Sequence, residues 1–168
     1  AGFLVLAFFG RGMSKRAVAR VGVGSVGFSA ALALITAVVF LKASPGSAMS
    51  VTLWRWFSAG GLAPVISFRI DALSILFVLV VTFVGFMIHL YSAESMAEGE
   101  GYSRFFAYMN LFVGSMLILV MADNLVVLYL GWEGVGLCSY LLIGFWYKDP
   151  ANGRAAQKAV SVTRIGDT

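Results

Sequence analysis

Charge is scarce in this 168-residue chain: 12% of its residues are Asp, Glu, Lys or Arg, against 60% that are hydrophobic. A water-soluble domain needs more polar side chains than this to cover its surface, so the composition excludes one. Cysteine occurs once, at Cys138, and histidine once, at His89. One Cys rules out an internal disulfide. Together with one His it leaves the chain without the ligand set of an iron–sulfur cluster or a haem, so redox chemistry is expected elsewhere. The apolar run at 1–9 has no basic residues ahead of it and several behind it, the reverse of a signal peptide.

What the chain does have is long apolar runs, with a mean hydropathy of +0.91. A helix crosses the hydrocarbon core of a bilayer with about 20 apolar residues. The runs predict whole helices at 17–41, 70–91, 105–122 and 124–146, and half helices at 1–9 and 154–168. The fold class expected is an all-α polytopic membrane bundle with a short β-hairpin in the loop at 42–69. Residues 1–168 are read as one fragment of a membrane domain from a longer chain. Basic residues set the orientation. Arg11, Lys15, Arg16 and Arg20 precede the first whole span, Arg104 follows the second, and Lys148 and Arg154 follow the fourth. That side is assigned to the cytoplasm. The net charge of +4 therefore reports orientation and is compatible with anionic lipid. The bases flank spans and form no single stripe, so nucleic acid is not an expected partner.

Helical periodicity fails between Lys42 and Asp71. Ser44-Pro45-Gly46 marks a turn, and VTLWRWF and LAPVISFRI read as two strands around Ala59-Gly60-Gly61, with Pro64 at an edge position. Trp54 and Trp56 suit either headgroup depth or packing on a neighbouring subunit. Asp71 is placed to cap the next helix. Gly22-Val23-Gly24-Ser25-Val26-Gly27 fits the dinucleotide pattern GxGxxG, which needs a strand before it. Here it lies inside a span, where small residues let a neighbour pack closely.

One carboxylate breaks the fourth span: Glu133 is the only formal charge between Asp123 and Lys148. A charge at mid-bilayer costs about 2.5–3.5 kcal/mol on insertion scales, so such a group implies function. Glu133 lies about 20 Å from the cytoplasmic end of its helix, and on the following half helix Arg164 and Asp167 lie about 15 and 20 Å deep. Lys158 is nearer the surface, about 6 Å in. These four groups predict a buried polar track, with Gly131, Gly134 and Gly136 leaving room beside the carboxylate for backbone or water. A carboxyl whose charge depends on a nearby cation is a proton switch. The structural alternative is a static pair of Glu133 with Arg164 or Lys158, or of Arg164 with Asp167, three residues apart on one face. His89 can relay protons or serve as a hydrogen-bonded interfacial side chain. Asn110, Ser115 and Ser139 are expected to make helix-packing hydrogen bonds. Glu94, Glu98 and Glu100 read as a solvated loop.

EGYSRFFAYMNLF at 100–112, LGWEGVGLCSYLLIGFW at 130–146 and RIGD at 164–167 resemble the largest antiporter-like membrane subunit of NADH:quinone oxidoreductase, respiratory complex I. This is chain L in bacteria and subunit 5 in mitochondria. Related antiporter-like subunits, including those of cation/proton antiporters, usually follow Trp-Glu with residues other than Gly-Val-Gly. The resemblance covers nearly the whole chain and implies an inverted-repeat subunit with broken helices near the midplane. It places the family's essential membrane glutamate at Glu133 and its acidic residue at Asp167, and Arg164 and Lys158 match positions its members also carry. The main partner lysine of that glutamate would lie beyond Thr168. The resemblance further implies a bacterial plasma membrane rather than a mitochondrial one, and partners among the other membrane and peripheral subunits. NAD, FMN, iron–sulfur clusters and quinone would belong to those partners, with no cofactor in this chain. The implied function is proton translocation driven by quinone reduction elsewhere. A subunit of a sodium/proton antiporter and a non-transporting membrane scaffold are the alternatives.

Overall fold

The computed structural model describes residues 1–43, 48–56 and 64–167. The elements are α1 (Gly2–Phe9), a 3₁₀ turn at Gly10–Gly12, α2 (Lys15–Ala43), β1 (Met49–Arg55), β2 (Val65–Ile70), α3 (Ala72–Ser95), α4 (Tyr102–Val120), α5 (Leu125–Ile143) and α6 (Pro150–Gly166). Helices α2 to α5 are each long and apolar enough to span a bilayer. The chain is an integral membrane protein, a helix bundle with one antiparallel hairpin.

Local chemistry sets the helix ends, and several differ from the hydropathy reading. Asp71 and Ser74 form a reciprocal capping box at the start of α3. Asp149 caps α6 by accepting from the Ala151 N–H, with Pro150 in the first turn, so α6 starts before Arg154. Gly101 precedes α4 at φ 79°, a conformation that favours glycine. Gly144 ends α5 short of Trp146.

Helix α4 sits centrally, packed on α1, α2, α3 and α5. Its inner side joins Leu6, Val18, Met96, Phe106, Ala107 and Phe145 in a core at the end of the bundle that holds the N-terminus of α4. Smaller groups lie farther along, Val26 with Val81 and Val113, then Ala37 with Phe40 and Ile75. The Gly22–Gly27 stretch forms part of these contacts. A Cβ on Gly22 would stand 2.5 Å from the Phe106 ring, and one on Gly27 2.8 Å from Phe86. The glycines admit aromatic rings, as in close helix packing, and no strand leads into them.

Strands β1 and β2 pair from Met49 opposite Ile70 to Arg55 opposite Val65, with an irregularity between Thr52 and Trp54. The turns expected at Ser44–Gly46 and Ala59–Gly61 lie outside the described residues. The hairpin is fastened to the turn between α4 and α5. Arg69 N–H donates to Met121 O at 2.8 Å, and Asp123 N–H to Ser67 O at 3.3 Å. Asn124 donates from Nδ2 to Val65 O at 2.9 Å and Ser67 Oγ at 3.1 Å, while its Oδ1 accepts from Val126 and Val127 to cap α5.

Candidate functional site

Helices α5 and α6 run antiparallel from the loop that joins them. Close approach begins at Gly144, where a Cβ would lie 3.3 Å from that of the buried Ala156. Farther along the pair, Arg164 Nη1 donates to Glu133 Oε1, an ion pair between the two helices. The same guanidinium nitrogen lies 3.4 Å from Tyr129 Oη, one turn before Glu133. Asp167 Oδ1 accepts from Trp132 Nε1 at 2.8 Å. Glu133, Arg164 and Asp167 are therefore level, but the expected track is not buried within the described residues: the Arg164 side chain is 58% exposed and Asp167 is exposed, and both reach across to α5 instead of joining each other.

A cleft of about 500 Å³ opens between these helices, lined by all three charged groups together with Tyr140, Val160 and Thr163. The three glycines divide into two tasks. A Cβ on Gly131 would stand 2.6 Å from Leu119 N, and one on Gly134 2.6 Å from Ser115 Oγ, so both press α5 against α4. Gly136 lines the cleft, and a Cβ there meets nothing within 4 Å. The room beside Glu133 is thus at Gly136.

Lys158 departs from the expected track. It is exposed, lies outside the lining of the cleft, and forms no ion pair among the described residues. The residues lining the cleft from α6 are Ala159, Val160, Thr163, Arg164 and Asp167, and Lys158 is off that face. His89 belongs to another part of the bundle. It is fully buried, with Nδ1 2.7 Å from Gly85 O and Nε2 3.3 Å from Asn110 Nδ2. Since a carbonyl only accepts, Nδ1 carries the proton, and Nε2 accepts from the amide. Asn110 Nδ2 also lies 3.3 Å from Gly22 O and 3.0 Å from Phe106 O, and Ser25 Oγ lies 2.5 Å from its Oδ1. Gly2 completes the junction: a Cβ there would fall 2.5 Å from Asn110 Oδ1. His89 is thus an interior member of a polar junction where four helices meet, separate from the cleft.

Asn110 makes the interhelical bonds expected of it, whereas Ser139 donates within its own helix to Val135 O at 2.9 Å. Glu100, expected in a solvated loop, is 86% exposed and also pairs with Lys148 at 2.6 Å. Hydrogen bonding to Lys148 holds the Glu100 carboxyl below its ordinary range, and Glu100 raises Lys148 in return. Among the described residues no three His, Cys, Asp or Glu side chains converge as a metal site. Both ring nitrogens of His89 are engaged and Cys138 is buried on another helix. This donor set does not fit an iron–sulfur cluster or a haem. Sequence reasoning missed Tyr129 and Trp132 as site residues. Their signal was the i−4 and i−1 spacing to Glu133, which hydropathy counts as membrane-facing aromatics.

Two family descriptions match. "NADH-Ubiquinone oxidoreductase (complex I), chain 5 N-terminus" covers residues 56–106, and "NADH:quinone oxidoreductase/Mrp antiporter, TM" covers 122–168. NADH-quinone oxidoreductase subunit L of Escherichia coli K12 is 53% identical over 166 residues, 99% of this chain and 27% of that protein. The subunit of the same name from Pseudomonas aeruginosa PAO1 is 53% identical over 168 residues, again 99% and 27%. This chain thus spans about a quarter of the length of these relatives. Among solved structures, the Mrp complex from Dietzia sp. DQ12-45-1b aligns with TM-score 0.76 at 26% identity, over 98% of this chain and 17% of that one.

Proposed function

We propose that this chain, which belongs to the family of antiporter-like NADH:quinone oxidoreductase membrane subunits of the subunit L type, carries part of a proton-translocating path. In this reading Glu133 is the proton-binding group. The observation that carries it is the Glu133–Arg164 pair on facing helices beside an open cleft. Glu133 is 29% exposed at its side chain, so water in the cleft can reach it. Arg164 is the counter-charge of the Glu133 carboxylate, and parting such a pair in a low-dielectric setting leaves an uncompensated charge. Asp167 is a second acceptor within reach of the same cation. Lys158, off the face that lines the cleft, is given no step in this reading, and His89 belongs to the interior junction, where any relay role would require its amide partner to turn.

The proton path requires the whole subunit and its complex. NADH, FMN, iron–sulfur clusters and quinone are assigned to partner subunits; one Cys and one His do not make the ligand set of an iron–sulfur cluster or a haem. The driving force therefore arrives as conformational or electrostatic change across subunit contacts. The bacterial relatives favour a plasma membrane over a mitochondrial one.

Glu133→Gln in the full-length chain within its assembled complex tests the assignment. Proton uptake into vesicles should fall by roughly a hundredfold or more, the scale for loss of a proton-transfer group, while assembly and electron transfer at the redox subunits persist. A complex that assembles and pumps at the native rate rejects Glu133 as the switch. Loss of assembly in place of loss of pumping favours the scaffold reading. The likeness to the Mrp complex supports a second reading, a sodium/proton antiporter subunit. Flavin and iron–sulfur absorbance in the purified complex distinguishes the redox-driven pump from the antiporter.

A further inference from the structure

Arg164 and Asp167 are three residues apart on α6, a spacing at which oppositely charged side chains usually meet. They do not. Arg164 crosses to Glu133 while Asp167 accepts from the Trp132 indole N–H at 2.8 Å. Trp132 directly precedes Glu133, so one stretch of α5 engages both ends of what would otherwise be a pair within α6. An indole N–H is a donor without charge. It satisfies the Asp167 carboxylate without adding a second cation beside Glu133.

We propose that Trp132 is a positioning residue whose N–H holds Asp167 apart from Arg164 and thereby leaves the guanidinium to Glu133. The inference rests on the reading of Glu133 as the proton site. Its physical basis is competition between two acceptors for one cation. Arg164 has five donors in a fixed fork, and two carboxylates lie within its reach, one on each helix. Without the indole donor, Asp167 lacks its cross-helix partner and draws Arg164 back along its own helix. Glu133 then faces the cleft without its cation. Tyr129, 3.4 Å from Arg164 Nη1, offers the guanidinium only a neutral acceptor and cannot replace either carboxylate.

Replacing Trp132 in the full-length subunit by 3-benzothienylalanine keeps the bicyclic shape and exchanges the N–H for sulfur. High-resolution cryo-electron microscopy of the assembled complex then locates Arg164. The expected result is Arg164 seated on Asp167, with proton translocation reduced roughly tenfold, the scale of losing one hydrogen bond to a charged group. Adding Asp167→Asn should return Arg164 to Glu133 in the structure. Trp132→Phe provides the same N–H deletion if the isostere fails to assemble. If Arg164 remains on Glu133 in either variant, the positioning role is overturned, whatever happens to pumping. Arg164 seated on Asp167 with pumping unchanged upholds the positioning role and rejects the functional reading of Glu133.

Discussion

Gly131 rests on the backbone of Leu119 so closely that a methyl group at Gly131 would stand 2.6 Å from the Leu119 nitrogen. Two residues on, about 200° around the helix, Glu133 points away from that contact and into the cleft shared with α6. The close packing of α5 on α4 therefore sets which way the carboxylate faces.

Gly131→Ala tests that dependence. The clash is with backbone, which cannot rotate aside, so α5 must shift. The expected cost is about 1–3 kcal/mol, typical of overpacking. Thermal unfolding of the complex reads it. Gly136→Ala, where nothing lies within 4 Å, should leave stability near native and serves as the matched control.

Asn110→Leu tests the junction around His89. Leucine removes the donor to His89 Nε2 and the acceptor for Ser25 Oγ in a site where His89 has no exposed surface. Leaving a buried polar group unsatisfied costs about 1–3 kcal/mol. The same thermal measurement should show that loss, with Asn110→Gln intermediate. If Asn110→Leu is as stable as native, the junction does not hold the four helices together.

The Glu100–Lys148 pair predicts a pH response in the loops that lead into α4 and out of α5. Glu100 titrates below its ordinary range in the fold, so its contribution is complete above the unfolded-state value and disappears as pH falls through the lowered one. Lys148 is raised, so its contribution is complete below the unfolded-state value and disappears as pH rises through the raised one. Their side chains are 86% and 71% exposed, and solvent screens most of the energy. Lys148→Met should therefore move the Glu100 titration to higher pH, followed by carboxyl infrared bands that Glu100→Gln abolishes, with no measurable change in unfolding temperature. An unmoved titration would show that the pair does not form in solution.

Bilayer thickness made the spans legible, because a run of apolar residues has few other uses. Helix ends were harder. Asp149-Pro150 carries a full start signal, yet an apolar count begins α6 at Arg154. Within the site, Glu133 was conspicuous as a charge among apolar residues, and Arg164 followed from depth along the helix. Trp132 was hidden because its bond to Asp167 spans 35 residues and involves no charge on its side. The burial of His89 was equally invisible, since it depends on how α1, α2 and α4 close around α3, which no local pattern records. Lys158 shows the converse limit: depth alone says nothing about the face on which a side chain emerges.

Asn124 has one carboxamide and two duties, holding the hairpin with its nitrogen and the first turn of α5 with its oxygen. Glu133 lies nine residues along that helix, about 14 Å away. A pull on the hairpin is consequently transmitted to the root of the helix that bears the carboxylate. The loop and the Glu133 carboxylate thus sit at two points of one helical rod, and a neighbour that shifted the hairpin would act on that rod without approaching Glu133.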